Sequence, residues 1–262
     1  DMTTLTPAEF GAISATDIAR LSASQVGDIN AEQIAAISDK ALAAIKQASI
    51  TADIFHAIPV KSLGGLNLKI VTPDQFNDLT SSQIAALTTA QVATIPSTTY
   101  SELSLDSLGS FALKGNFTAI DMKKLDGSNT HTNFAKLTPA QMGALSSTQL
   151  NALSVSQVNS ITAEQAAGLV STQVPALAST FLHGLDSEAV NALTPATFKA
   201  IPVKSLNNLT DSALTNLGEE KLASLTSEHI NALSSAKLGF LAGHIAPNEK
   251  FGTSLSTAAL AG

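Results

Sequence analysis

The chain has 262 residues, 44% hydrophobic and only 13% charged, with 14 Lys and Arg against 21 Asp and Glu. It contains no Cys, which excludes a disulfide framework, thiolate-bound zinc, an iron–sulfur centre and a thiol nucleophile, but leaves the compartment open. The net charge of -7 argues against nucleic acid or an anionic membrane as main partner, and no apolar run approaches the ~18 residues of a membrane-spanning helix.

The first four residues, Asp1-Met2-Thr3-Thr4, carry no signal-peptide pattern, so the chain is expected to be an excised piece or a processed product. From residue 6 an eight-residue period takes over: TPAEFGAI (6–13), SATDIARL (14–21), SASQVGDI (22–29), NAEQIAAI (30–37). The pattern is [Ser/Thr]-x-x-Gln-φ-x-x-φ, with φ an Ile, Leu, Val or Phe. Octads begin at every eighth residue over 6–38, at 51 and 59, over 72–104 and over 130–234, which makes 26 in all. Ser, Thr, Asn or Asp opens 20 of them; the fourth residue is Gln in ten and Glu in one.

The register breaks at two five-residue units, 46–50 and 67–71, and across 112–129, where Gly115, Asn116, Gly127 and Asn129 are turn formers. Three segments follow: an N-terminal repeat block (1–111), an irregular interruption (112–129) and a C-terminal repeat block with its cap (130–262), read together as one continuous solenoid. Longer echoes, FHAIPVKSLGGL (55–66) and FKAIPVKSLNNL (198–209), match at nine of twelve positions and point to duplication in larger blocks.

A continuous helix does not suit this period. Eight residues at ~100° each overshoot two turns by about 80°, so an apolar stripe would rotate off its partner within a few octads. A strand fails as well, because apolar positions five and three apart fall on opposite faces of a period-two ribbon. One short helix per octad fits every position. Ser or Thr is the N-cap, and Gln or Glu three residues later completes a capping box. Pro7, Pro73, Pro139 and Pro195 sit at the favoured first helical position. Helices this short are marginal alone in water, so each must stack on its neighbours and bury its two φ side chains. The predicted fold is all-α: an α-solenoid, or superhelix, of short capped helices, one per octad. Phe10, Phe55, Phe76, Phe134 and Phe198, all at fifth positions, are expected to be core wedges.

Chemistry-bearing motifs are sparse. There is no phosphate loop, no G-x-G-x-x-G, no H-E-x-x-H and no G-x-S-x-G. His56, His131, His183, His229 and His244 are scattered singly and read as solvent-facing variation of the repeat; His229 stands at a cap-box position. The one local charge cluster, DMKKLDGSN (121–129), lacks the spaced carboxylates and terminal Glu of a calcium loop and reads as a turn between blocks. Lys123, Lys124 and Asp126 are nevertheless candidate contact residues there, because loops between rigid blocks tend to carry function. Lys61 and Lys204, at equivalent places in the duplicated AIPVKSL blocks with Pro59 and Pro202 before them, are a second candidate pair. Sequons at Asn116-Phe117-Thr118 and Asn208-Leu209-Thr210 matter only in a eukaryotic secretory setting.

The units LTPAQMGAL, LSSTQLNAL, LSVSQVNSI and LTTAQV resemble the tandem octapeptide repeats of very large bacterial surface and secreted proteins of the adhesin-like or exoprotein-like kind. The resemblance implies an extracellular or effector-type module and transfers no catalytic residue. The expectation is therefore a non-enzymatic structural or protein-interaction module, adhesin-like stalk or binding scaffold, at the cell surface or secreted. The alternative is an intracellular or host-delivered effector scaffold that grips a protein on a concave face. No cofactor, metal, nucleic acid, membrane insertion or small-molecule substrate is expected. A protein partner or self-association is, through a Ser/Thr/Gln-rich exterior of low charge.

Overall fold

The computed structural model describes residues 2–125 and 132–245, with side chains over 2–125 and 134–241. The described elements are short α-helices and 3-10 helices, and the chain divides into two compact units, Asp1–Lys136 and Leu137–Gly262.

The octad folds as its residue types require. At Pro7–Gly11, the Thr6 side chain accepts the Glu9 N–H while the Glu9 carboxylate accepts the Thr6 N–H at 2.9 Å, a complete capping box with Pro at N1. The same box opens helices at Ser22, Asn30, Thr72, Thr80, Thr88, Thr138, Ser146, Ser154 and Thr162, with Gln supplying the second half. Each cap contributes roughly 1 kcal/mol relative to alanine. After four to six residues the helix stops, and the chain turns through an extended N-cap into the next.

In the first unit each helix packs on the one three places further along. Pro7–Gly11 lies on Ala31–Ile34, Ala15–Ile18 on Asp39–Ala44, and Ala23–Gly27 on the 3-10 helix Gln47–Ser49. Three consecutive helices thus form a layer, and the layers succeed one another at three octads. The five-residue units keep this order by shortening it. Gln47–Ser49 stands in for a whole octad, and 67–71 forms only a turn. Ala31–Ile34 then packs on Ala52–Ala57, Asp39–Ala44 on Val60–Gly65, and those on Pro73–Asn77 and Ser81–Ala86. The interruption 112–129 holds two further 3-10 helices rather than only a turn between blocks. Asn116–Ala119 packs on Thr89–Val92, and Met122–Leu125 packs on Ser97–Ser101.

The second unit repeats the scheme. Pro139–Ala144, Ala163–Ala167, Ser187–Ala192, Asp211–Thr215 and Ser235–Ile245 pack each on the next, as do Val155–Asn159, Ser179–Gly184, Val203–Asn208 and Ser227–Ala232. This inter-helix packing is consistent with a repeat, solenoid-like arrangement of an all-α chain. The core runs between layers and is made of fifth- and eighth-position residues. Phe10, Phe55, Phe76, Phe134 and Phe198 are all buried, and Phe76 stacks on Phe111 with ring centroids 6.0 Å apart.

Candidate functional site

The fourth-position Gln is the residue that joins one layer to the next. Gln83 is 1% exposed. Its Oε1 accepts the Thr80 N–H at 2.6 Å, completing the cap of its own helix, while its Nε2 donates to the carbonyls of Phe55 at 2.9 Å and Ile58 at 2.7 Å. Those carbonyls end the helix Ala52–Ala57 in the layer before, where the Phe55 carbonyl also accepts the Ile58 N–H at 3.1 Å. One amide therefore accepts the N-cap N–H in its own layer and donates to two helix-terminal carbonyls in the layer behind. Gln33 does the same for Met2 and Leu5, Gln75 for Gln47 and Ile50, Gln91 for Leu63 and Leu66, and Gln173 for Met142 and Leu145. The Gln-rich exterior read from the sequence is thus corrected: Gln33, Gln75, Gln83, Gln141, Gln157, Gln165 and Gln173 are buried.

Where Gln is replaced, other donors take the carbonyls. Thr99 Oγ–H donates to Val71 O at 3.1 Å, Thr197 Oγ–H to Leu169 O at 3.0 Å, and Lys237 Nζ to Leu209 O at 2.7 Å. Asn116 is buried, with its amide on the carbonyls of Ile84 and Leu87, and so its sequon presents no free side-chain nitrogen. The other half of the Gln role, accepting the N-cap N–H, passes to a sixth-position Asn one layer back. Asn77, Asn151, Asn191 and Asn207 accept the N–H groups of Ser104, Ala178, Gly218 and Ser234 at 2.7–2.9 Å. Each also donates to the carbonyl two residues before that cap.

The candidate contact lysines are dispersed. Lys61 and Lys204 are exposed on the 3-10 helices Val60–Gly65 and Val203–Asn208, in different units; Ser62, beside Lys61, is buried and donates to Ile37 O at 2.7 Å. Lys123 is exposed. Lys124 is spent on the fold: its Nζ donates to Ile95 O at 3.2 Å, lies 3.9 Å from the Asp121 carboxylate and stands 6.0 Å from the centre of the Tyr100 ring. Burial raises the pKa of the Tyr100 phenol well above its ordinary value. Asp126 lies outside the described residues, as does His131.

The histidines divide by environment. His183 is exposed. His56 is half-exposed, with its ring and its main-chain N–H both 2.9 Å from one carboxylate oxygen of Asp78. His229 is not the solvent-facing variant expected: it is buried, and its Nδ1 accepts the Thr226 N–H at 3.1 Å in place of the Gln oxygen. The His244 side chain is outside the described set. Among the described residues no group of three or more His, Cys, Asp or Glu is placed to hold a metal ion, and no helix is long and apolar enough to cross a membrane.

Two surface features escaped the sequence reading. Val60, Leu105 and Val155, all second-position residues, are 49%, 59% and 70% exposed. Beside Val155 lies a shallow depression lined by Leu150, Leu153, Val158, Thr180 and Phe181, at a layer where Phe181 occupies the fourth position. A hydrophobic residue at a second position, the outward first turn of the helix, was the available signal.

The family model of the ALTTAQ repeat matches residues 134–171, the stretch that holds the successive boxes of Gln141, Gln149, Gln157 and Gln165. Over that stretch the chain is similar to this repeat. No curated protein matches the chain.

Proposed function

We propose that this chain is a non-enzymatic structural and protein-interaction module, an α-solenoid with one capped helix per octad, within a bacterial surface or secreted protein of the adhesin-like kind. The observation that carries the reading is the division of labour inside the octad. Its fourth, fifth and eighth positions go into holding the layers together, which leaves the second, third and seventh as a repeated, mostly small and polar surface. Such a surface suits spacing, or many weak contacts whose avidity comes from repetition. Lys61 and Lys204 are cationic points on it, Lys123 a further one in the interruption between octads, and Val60, Leu105 and Val155 its apolar ones. The surface placement rests on the resemblance of the octads to repeats of exported bacterial proteins.

Protease shaving of intact producing cells, followed with an antibody to this segment, tests it. Loss of the signal without lysis is the expected result. Protection until the cells are lysed overturns the surface placement and moves the module inside the cell.

A further inference from the structure

We propose that His229 is a pH-sensitive cap: protonation of its ring opens the start of the helix Ser227–Ala232 and loosens that helix from Val203–Asn208, so the module carries one layer that responds to mild acid. The response belongs to the buried ring and does not depend on where the module is placed.

Of the 26 octads, only the one at 226–233 has His at its fourth position. There the ring completes a capping box that Gln completes elsewhere. His229 is 5% exposed. Its Nδ1 lies 3.1 Å from the Thr226 main-chain nitrogen and 2.6 Å from the Thr226 hydroxyl oxygen, and that oxygen accepts the His229 N–H at 3.4 Å. A main-chain N–H can only donate, so Nδ1 carries no proton in this cap and the neutral ring holds its proton on Nε2. The amide oxygen of Gln stays an acceptor at every physiological pH. The imidazole does not, because histidine changes charge between about pH 5 and 8.

Protonation acts against the cap in three ways. Nδ1 becomes a donor, so the Thr226 N–H loses its acceptor and faces another N–H, while only the hydroxyl can turn to accept from the ring. The new charge stands beside the N–H groups of the first helical turn, which already present partial positive charge. It is also buried, and among the described residues no carboxylate pairs with it. The charged groups on the surrounding elements are engaged elsewhere or exposed. Glu228, next along the chain, is exposed, as are Lys204 on Val203–Asn208 and Glu219 on the preceding helix Glu219–Ser224. Lys221 of that helix is buried with its Nζ 3.5 Å from the Glu220 carboxylate, and Lys237 of the following helix bonds to Leu209 O and the Asp211 carboxylate. The cap and the apolar anchor of the helix are adjacent residues. Ile230, the buried fifth-position side chain, follows His229 directly, and its helix packs on Val203–Asn208.

The test uses the full chain and its His229→Gln variant, which has the residue found at ten other fourth positions and keeps the cap without the titration. Amide hydrogen exchange, expressed as protection relative to the unfolded rate at each pH, reads the cap directly. Between about pH 7.5 and about pH 5, across the histidine range, the Thr226 amide should lose about fivefold in protection in the wild type, the change expected from one cap. In His229→Gln it should hold. His183→Gln, which removes an exposed imidazole, should lose protection at Thr226 as the wild type does. Unchanged protection of the Thr226 amide in the wild type overturns the proposal without reference to any variant, and so does an equal loss in His229→Gln.

Discussion

The side-chain oxygen of Asn77 accepts both the main-chain N–H of Ser104, 27 residues further on, and the hydroxyl of Ser107, each at 2.9 Å. Ser107 stands where another octad would carry Gln, and Asn77 supplies from the layer behind the acceptor that Gln would have supplied from within. Two residue types at different octad positions therefore perform one task, and the loss of one is compensated by the presence of the other.

Removal of this link should be rescued locally. Asn77→Ala removes the partner of the Ser104 N–H and the Glu102 carbonyl, groups that water can partly reach, and should cost about 0.5–1.5 kcal/mol in denaturant unfolding. Adding Ser107→Gln, which rebuilds the capping box inside the octad, should recover part of that loss. Additive effects of the two substitutions would show that Gln and Asn do not exchange roles.

Substitution of Gln by Glu should separate the layers by position. At Gln83 the carboxylate would face the carbonyls of Phe55 and Ile58 in a buried site, a loss above about 3 kcal/mol at neutral pH. At the exposed Gln25, where only the cap is served, the same change should stay within about 0.5 kcal/mol. Thermal or urea unfolding of the two variants side by side decides it.

Glycines at the layer contacts should resist replacement while others accept it. A Cβ on Gly65 would lie 2.1 Å from the Asp39 carbonyl oxygen, and one on Gly168 the same distance from that of Pro139. Alanine at either should cost about 1–3 kcal/mol by forcing the backbones apart. Gly109 meets nothing within 4 Å, so Gly109→Ala should be neutral or add up to about 1 kcal/mol.

The single tyrosine offers a spectroscopic reading of burial. Tyr100 is fully buried and its hydroxyl donates to Val92 O at 3.2 Å. Burial raises its pKa, so the fold keeps a proton that the unfolded chain releases near its ordinary value of 10.0. Stability should therefore fall as pH rises above that value, and the ultraviolet phenolate signal should appear together with unfolding. A phenolate signal with normal titration in a chain still helical would contradict the burial.

Much of the local structure was legible in the residues themselves. The octad, the N-caps, the Pro positions and the Phe wedges depend on contacts within eight residues, and the pattern of one octad contains all of them. Even the layer bond left a trace. A capping box accepts Glu as well as Gln, yet the chain has ten Gln and one Glu at the fourth position. That imbalance reflects a need for the amide N–H that the cap alone does not create.

The tertiary structure decided where that N–H goes. The carbonyls it meets lie 25 to 31 residues back, a separation set by three helices to the layer and by the five-residue units that shorten it. Nothing inside one octad encodes this number. It follows from the angle at which each short helix leaves its cap and from the fit of side chains between layers. The same packing buried His229 and Asn116, which the sequence placed at the surface or left as a sequon, and brought Asp78 against His56 from 22 residues away. A side chain's local role is written in its neighbours along the chain. Its second partner is fixed only when the chain has come round to lie on itself, because hydrogen bonds and apolar contacts act over a few ångströms of space, regardless of sequence distance.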